Sequence, residues 1–409
     1  MQMKISLNKI ILTGFDLSLL LYLIAYIVFN ASSDFNDKIR SLSTFLLFGF
    51  GFLLCIIRKN KARVLKGYTV WYFIFSLFGL ISAIWAVDSG HVVSLFSAFM
   101  RLVIISHFLR VRVDKPEDVN RLFTIYILMT VFFGTFALRK SIEHFGIGSF
   151  YLERLGLYDG INPNTIAISL IFSIVLLIYF YNTVRIPRER MAIILVIVYL
   201  SVLLIITGSK KGILGLVFGV LLYKILSSTL KRKIKYILIS LIVLIILWQC
   251  VMNIPFLYDA VGYRLESMFA VFGTGIVDGS TENRLLLIKN AIEVWSNHIL
   301  FGIGLNNFSV VQTVGGSGYY AHNNYFELLA DLGIIGFLIY YIYPLKLVLT
   351  ETRQNKTRVC LKTIIIVILF LDMAMVSYQE IQVQFPIMLF GIVIALENNM
   401  RRENGYDNK

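Results

Sequence analysis

The chain has 409 residues, 58% hydrophobic and 15% charged, with a mean hydropathy of +0.77. A soluble domain carries about a quarter charged residues, so a soluble enzyme is excluded. The formal net charge of +14 does not signal nucleic acid. The basic residues fall in short clusters between apolar runs, as the positive-inside rule predicts for a membrane protein. Apolar runs of about 20 residues recur, each long enough to cross a bilayer as a helix. Only helices or a closed barrel can span a bilayer, and the alternating pattern of a barrel is absent. The fold class is therefore all-α, polytopic and membrane-embedded. Three scattered cysteines, Cys55, Cys250 and Cys360, make neither a disulfide framework nor a metal site. The first apolar run lacks a small-residue cleavage site and reads as a retained span rather than a signal peptide.

Twelve spans are predicted in chain order, over residues 10–29, 39–57, 67–86, 91–109, 120–138, 163–181, 190–207, 212–228, 234–253, 326–345, 361–377 and 383–397. With the N-terminus cytoplasmic, the inward segments hold 27 of the 38 Lys and Arg residues. The outward segments hold 10, although they include the two longest loops, and Arg101 lies within a span. That asymmetry predicts both termini in the cytoplasm. The predicted organisation is spans one to nine over 1–253, an extracytoplasmic loop over 254–325, spans ten to twelve over 326–397, and a cytoplasmic tail over 398–409. A second outward loop, 139–164, mixes aromatic, glycine and charged residues.

The long loop is where chemistry is expected, because mostly polar loops of this length between compact elements are usually functional. Outside the cytoplasm there is no ATP and no nucleotide sugar, so a substrate there must arrive already activated. The Phe301-Gly302-Ile303-Gly304 turn lacks the third glycine and the preceding strand of a dinucleotide fold. From Ser280 an amphipathic helix is predicted, capped by Ser280 or Thr281, with Ile288, Ala291, Ile292 and Trp295 as its apolar face. Arg284 falls in its first turn, where the helix dipole disfavours a cation. It reads either as a phosphate ligand, for which a guanidinium fork is suited, or as a headgroup or ion-pair contact. A Gly315-Gly316-Ser317-Gly318 hinge follows.

His322 precedes Asn323 and Asn324, which read as the cap of the tenth span. A neutral imidazole there can take a proton from a hydroxyl, or it can simply make one interfacial hydrogen bond. Glu327 and Asp331 share a helix face by their spacing. They either orient the site or are solvated acids at a helix start, and Asp331 reads as the latter. In Thr207-Gly208-Ser209-Lys210-Lys211-Gly212, two lysines on an outward turn run against the charge trend. They read as an anion site at a helix start or as lysines reaching for headgroups. Arg101, mid-span, is functional by default, and Asp372 is its candidate partner. No paired carboxylates of a glycosidase and no metal-ligand spacing are visible.

The Thr-Gly-Ser-Lys-Lys-Gly turn, the helix carrying Arg284, the Phe301-Gly302-Ile303-Gly304-Leu305-Asn306-Asn307-Phe308 segment and the run from Ala321-His322-Asn323-Asn324 to Gly336 together resemble the O-antigen ligase and Wzy-type polymerase superfamily. The motif likeness is confined to about 205–340, while the twelve-span topology with one large outer loop between the ninth and tenth spans resembles the family throughout. The resemblance implies a GT-C-like glycosyltransferase of the bacterial inner membrane. It implies inverting, metal-independent transfer of a glycan from undecaprenyl pyrophosphate, without a cofactor. Arg284 matches the family's loop arginine on the pyrophosphate, and His322 its acceptor-activating histidine. Lys210 stands where most members carry arginine, and Lys211 is a second candidate for that role. Arg101, from its mid-span position, is expected to contact the pyrophosphate, and Asn323, Asn324 and Glu327 are expected to support the site.

Within the family the expected activity is polymerisation of lipid-linked repeat units into an O-antigen, capsule or exopolysaccharide. The alternative is a ligase acting on lipid A core or another acceptor. The expected partners are the lipid-linked glycan, the bilayer, and flippase and chain-length regulator proteins. A transporter from a different class predicts polar, broken helices at the bilayer midplane in two related halves, whereas here the polar weight lies in the loops.

Overall fold

The computed structural model describes residues 2–29, 33–147, 154–157, 162–258, 262, 266, 279–314, 318–352 and 355–403. Most of 254–278, the Gly315-Gly316-Ser317 part of the expected hinge and the last six residues of the expected tail lie outside them. Among the described residues the long elements are all helices: α1 Gln2–Ile27, α2 Asp34–Ile57, α3 Tyr68–Ile81, α4 Ser89–Arg112, α5 Pro116–Phe145, α6 Pro163–Thr183, α7 Pro187–Ile206, α8 Lys210–Leu226, α9 Leu230–Asn253, α10 Gly279–Asn297, α11 Asn324–Leu349, α12 Lys356–Leu371 and α13 Ile381–Glu403. Each of the twelve expected spans falls on one of these, and α10 is the expected loop helix. Eight are long and apolar enough to cross a membrane. Of the other four, α3, α8 and α12 have 17 residues or fewer, and α9 carries an uncharged apolar stretch over 236–253 after its basic start.

The chain divides into two compact units. The first comprises Met1–Phe50, Val119–Ile276 and Thr352–Val367. Its centre is α6, apolar on every face, which is what a helix surrounded by others requires; 72% of its most apolar window is buried. Helix α8 approaches α6 through small residues. A Cβ on Gly212 would lie 2.8 Å from Ala167 Cβ, and Gly215 and Gly219 are buried on the same helix. Such small-residue stripes let helix backbones close in where no hydrophobic drive between helices exists. Ser173 Oγ donates to Thr130 Oγ1 at 2.8 Å, tying α6 to α5.

The second unit comprises Gly51–Asp118, Val277–Glu351 and Ile368–Lys409. Its core is aromatic: Tyr72, Phe75, Phe99, Tyr340 and Tyr378 are buried with ring centroids 5.1–6.4 Å apart. At one end of α4 the basic residues close on exposed carbonyls. Arg58 Nη1 donates to the carbonyls of Val111 (2.7 Å) and Arg112 (2.8 Å). Lys61 Nζ donates to Val113 (2.7 Å), and buried Arg112 pairs with Asp118 at 2.7 Å. Cations at a helix C-terminus satisfy free carbonyls and the dipole together. This cluster is part of the fold and not a surface for nucleic acid. The opposite end of α3 and α4 meets the Phe301–Phe308 segment: the N–H groups of Val87, Asp88 and Leu305 donate to the Ile303 carbonyl (3.1 Å), Asn307 Oδ1 (2.6 Å) and Ser82 Oγ (3.0 Å).

Candidate active site

Arg284 sits in the second turn of α10, half-buried. Ser280 and Thr281, its expected caps, lie outside the described side chains. The apolar face is rotated from the expected one. Leu287 and Ala291 are buried, and Val294 packs with them against Phe308, Ala321 and Ala330, while Ile292 is 39% exposed. Small residues at 321 and 330 make room for that side. Positions 284, 287, 291 and 294 form one stripe at helical spacing. Arg284 heads it and continues the packed face.

The Phe301–Phe308 segment crosses α11 backbone to backbone. Gly333 lies inside α11 with φ 63° and ψ −168°, breaking the helix there. Across the break Ile303 and Gly304 donate N–H to the carbonyls of Ala330 (3.1 Å) and Asp331 (2.8 Å), and Ile334 donates to Ile299 (2.9 Å). A Cβ on Gly302 would fall 2.4 Å from the Asp331 carbonyl, and one on Gly333 2.3 Å from that of Leu300. The crossing requires glycine at 302 and 333. Asp331 corrects the expectation of a solvated acid. It is fully buried, and its carboxylate accepts the N–H groups of Asn306 (2.8 Å), Asn307 (3.0 Å) and Phe308 (2.8 Å). Asp331→Ala leaves three buried donors without their acceptor, and hydrogen bonds to charged groups contribute about 1.5–3 kcal/mol each, though not additively. A large fall in melting temperature in detergent is expected.

His322 is partly buried and sits in the left-handed region, at φ 54°. That conformation is uncommon for a residue with a side chain and persists only where its surroundings hold it. Here they do. Buried Glu327 accepts the Ala321 N–H at 2.5 Å, and Asn323 caps α11 by accepting from Tyr325 (3.0 Å) and Phe326 (3.2 Å). Asn324 donates its N–H to the Asp372 carbonyl (2.8 Å) and its side-chain amide to Tyr341 Oη (2.8 Å). Its Oδ1 accepts from Ser377 (2.9 Å) and Tyr378 (3.3 Å). Asn323 Nδ2 donates to Met373 at 3.1 Å. Glu327, Asn323 and Asn324 thus hold the backbone around His322. The Asp372 carboxylate, expected as a partner of Arg101, accepts from Tyr341 O–H (3.0 Å) and Ser377 O–H (2.5 Å). Arg101 is partly buried and donates to Ser97 Oγ at 3.4 Å.

Two further residues complete this corner and escaped the sequence reading. The Tyr320 ring lies 4.2 Å from the His322 ring, centroid to centroid. Burial raises the Tyr320 phenol above its ordinary value, the Glu380 carboxylate raises it further, and the Arg284 guanidinium opposes both. The charges of Glu380, Arg284 and Glu327 thus act on one phenol, which stays protonated at neutral pH, and the His322 ring lies beside it. The available signals were Tyr320 two residues before His322 and Glu380 as the second acid, after Asp372, of a short loop without a basic residue.

In the first unit, Lys210 and Lys211 open α8, both partly buried. Ser209 Oγ caps the helix by accepting from Gly212 N–H (3.2 Å) and donates to Asn164 Oδ1 (2.8 Å). Arg154 also reaches this turn, donating to the Thr207 carbonyl (3.2 Å) and to Asn164 Oδ1 (3.3 Å). The 139–164 loop, from which Arg154 comes, thus braces the lysine turn. Among the described residues no group of three or more His, Cys, Asp or Glu is placed to hold a metal ion.

Residues 195–341 match the family profile described as O-Antigen ligase. No curated protein matches the chain. The matched segment runs through the lysine turn, α10, the glycine crossing and the His322 corner. A multi-pass helical membrane protein carrying this segment is similar, over that segment, to the O-antigen ligase family, and the likeness points to polysaccharide biosynthesis.

Proposed function

We propose that the protein joins lipid-linked oligosaccharide repeat units into a surface polysaccharide at the outer face of the cytoplasmic membrane. What carries this reading is the Tyr320 side chain, whose ring lies 4.2 Å from that of His322 and whose phenol feels the charge of Arg284, both residues belonging to the long polar loop. A glycosyl transfer from a pyrophosphate needs a cation where the leaving group gains charge and a base at the attacking hydroxyl.

In the proposed step, the acceptor hydroxyl oxygen bonds to the anomeric carbon of the donor sugar as the bond to the pyrophosphate oxygen breaks. Its proton passes to the His322 imidazole. Undecaprenyl pyrophosphate leaves with the electron pair of the broken bond, its charge met by Arg284. Attack opposite the leaving group inverts the anomeric carbon, and neither metal nor cofactor takes part. Lys210 and Lys211 are assigned to the pyrophosphate on the family resemblance, and Arg101 to the same group on its mid-span position. Both termini are placed in the cytoplasm by the charge asymmetry of the loops.

The family description names a ligase, which uses the same donor and leaving group, so the acceptor separates the two activities. Purified protein in detergent, given one defined lipid-linked repeat unit, is expected to yield a ladder of longer lipid-linked chains. Single transfer to a lipid A core acceptor with no ladder would instead establish a ligase. No product with either acceptor removes both.

A further inference from the structure

The residues beside His322 are arranged for more than proton transfer. Tyr319 and Tyr320 stand on a short arch fixed at both ends: the Gly318 N–H donates to the Ser309 carbonyl at 3.1 Å, and the Ala321 N–H to Glu327 at 2.5 Å. Between these tethers both rings remain open, Tyr319 49% and Tyr320 37% exposed. The Glu380 turn is fixed to the same frame. Glu380 donates its N–H to the Ser377 carbonyl at 3.1 Å, and Ser377 and Tyr378 are bonded to Asn324, two residues beyond His322. Two open aromatic faces, a carboxylate and an imidazole thus share one rigid support.

We propose that Tyr319, Tyr320 and Glu380 form the subsite for the acceptor sugar, resting on the transferase reading above. An aromatic face covers the apolar C–H side of a pyranose ring, and a tyrosine pair does so at small entropic cost. A carboxylate accepts hydrogen bonds from sugar hydroxyls through two oxygens. The same carboxylate repels a pyrophosphate, so Glu380 belongs with the uncharged part of a substrate and Arg284 with the charged part. The sugar on this subsite is the acceptor, because its hydroxyl must come within hydrogen-bond reach of His322 and the Tyr320 ring is the platform beside that imidazole. Tyrosines that merely anchored the protein at a membrane interface would be indifferent to Glu380 and to sugar.

The test uses the purified full chain in detergent and, as probe, the repeat-unit oligosaccharide released from its lipid by mild acid. Saturation-transfer NMR is expected to show binding to wild type. The dissociation constant is expected to rise about tenfold for Tyr320→Ala and for Glu380→Gln, and to change less than about threefold for Tyr320→Phe, which keeps the ring. Tyr319→Ala alters an exposed side chain and keeps the test decisive should Tyr320→Ala fail to fold. In the ladder assay, Glu380→Gln is expected to need more substrate yet reach the wild-type rate at saturation. The inference is overturned if wild type does not bind the oligosaccharide, if Tyr319→Ala and Glu380→Gln bind as wild type does, or if Glu380→Gln loses maximal rate at unchanged substrate dependence. A wild type that binds the sugar and makes no ladder or ligation product would overturn the transferase reading alone.

Discussion

Arg284→Ala and His322→Ala are each expected to reduce glycan transfer by about a thousandfold or more, within the range seen when a transition-state cation or a general base is removed. Arg284 lies outside the buried cluster of Leu287, Ala291, Phe308, Ala321 and Ala330. It heads the Leu287–Ala291–Val294 stripe from a half-buried position, so the variant should insert and fold as wild type does. Arg284→Lys keeps the charge and loses the fork, and is expected to recover only part of the rate. His322 needs more care, because its backbone is left-handed. Alanine there retains the strain and removes the ring, whereas asparagine tolerates that conformation well. His322→Asn is therefore the cleaner probe of chemistry: folded, bearing no base, and expected to be as inactive as His322→Ala. The measurement is initial rate of chain extension by monodisperse protein at equal concentration. Wild-type rates from either Arg284→Ala or His322→Asn would remove that residue from the mechanism.

Gly333→Ala is expected to be the most destabilising small substitution in the second unit. The new Cβ would stand 2.3 Å from both the carbonyl carbon and oxygen of Leu300 and 2.5 Å from the Phe301 nitrogen, at φ +63°. Those atoms are backbone and cannot swing aside as a side chain can. Relief requires parting the two segments, which breaks the bonds from Ile334 to Ile299 (2.9 Å) and from Ile335 to Leu300 (3.3 Å). Strain at such a conformation costs about 1–3 kcal/mol, and overpacking costs a similar amount again. The expected readout is loss of the monodisperse fraction, or a large fall in melting temperature. Gly49→Ala is the matched control. Nothing lies within 4 Å of its Cβ and it sits within α2, so alanine should be neutral or stabilise by up to about 1 kcal/mol. Equal melting temperatures for the Gly333 and Gly49 variants would contradict the crossing.

The helices were legible because a bilayer forces every span to declare itself as a long apolar run. Each expected span overlaps an observed helix, with ends that differ by up to eight residues, as at the start of α1. Arg284 and His322 were legible as residue types at unusual positions. Less of their surroundings could be read. The rotation of α10 toward Leu287 and Val294 depends on Ala321 and Ala330, which sequence spacing within α10 cannot reveal. Asp331 looked like a solvated acid because its three N–H partners come from a segment 23–25 residues earlier. Glu380 and Arg154 were missed for the same reason: each meets its site only through tertiary contact, and neither carries a local pattern.

The crossing at Gly333 has a consequence for how this part of the molecule opens. A loop ordinarily unravels at little cost while the helices beneath it stay intact, and its amides exchange with solvent accordingly. Here residues 302–308 share their hydrogen bonds with Ala330, Asp331 and the broken turn of α11. Neither segment can unzip alone. The Phe301–Phe308 stretch and the first half of α11 form one cooperative foldon with a single opening free energy, and the His322 corner rides on its edge.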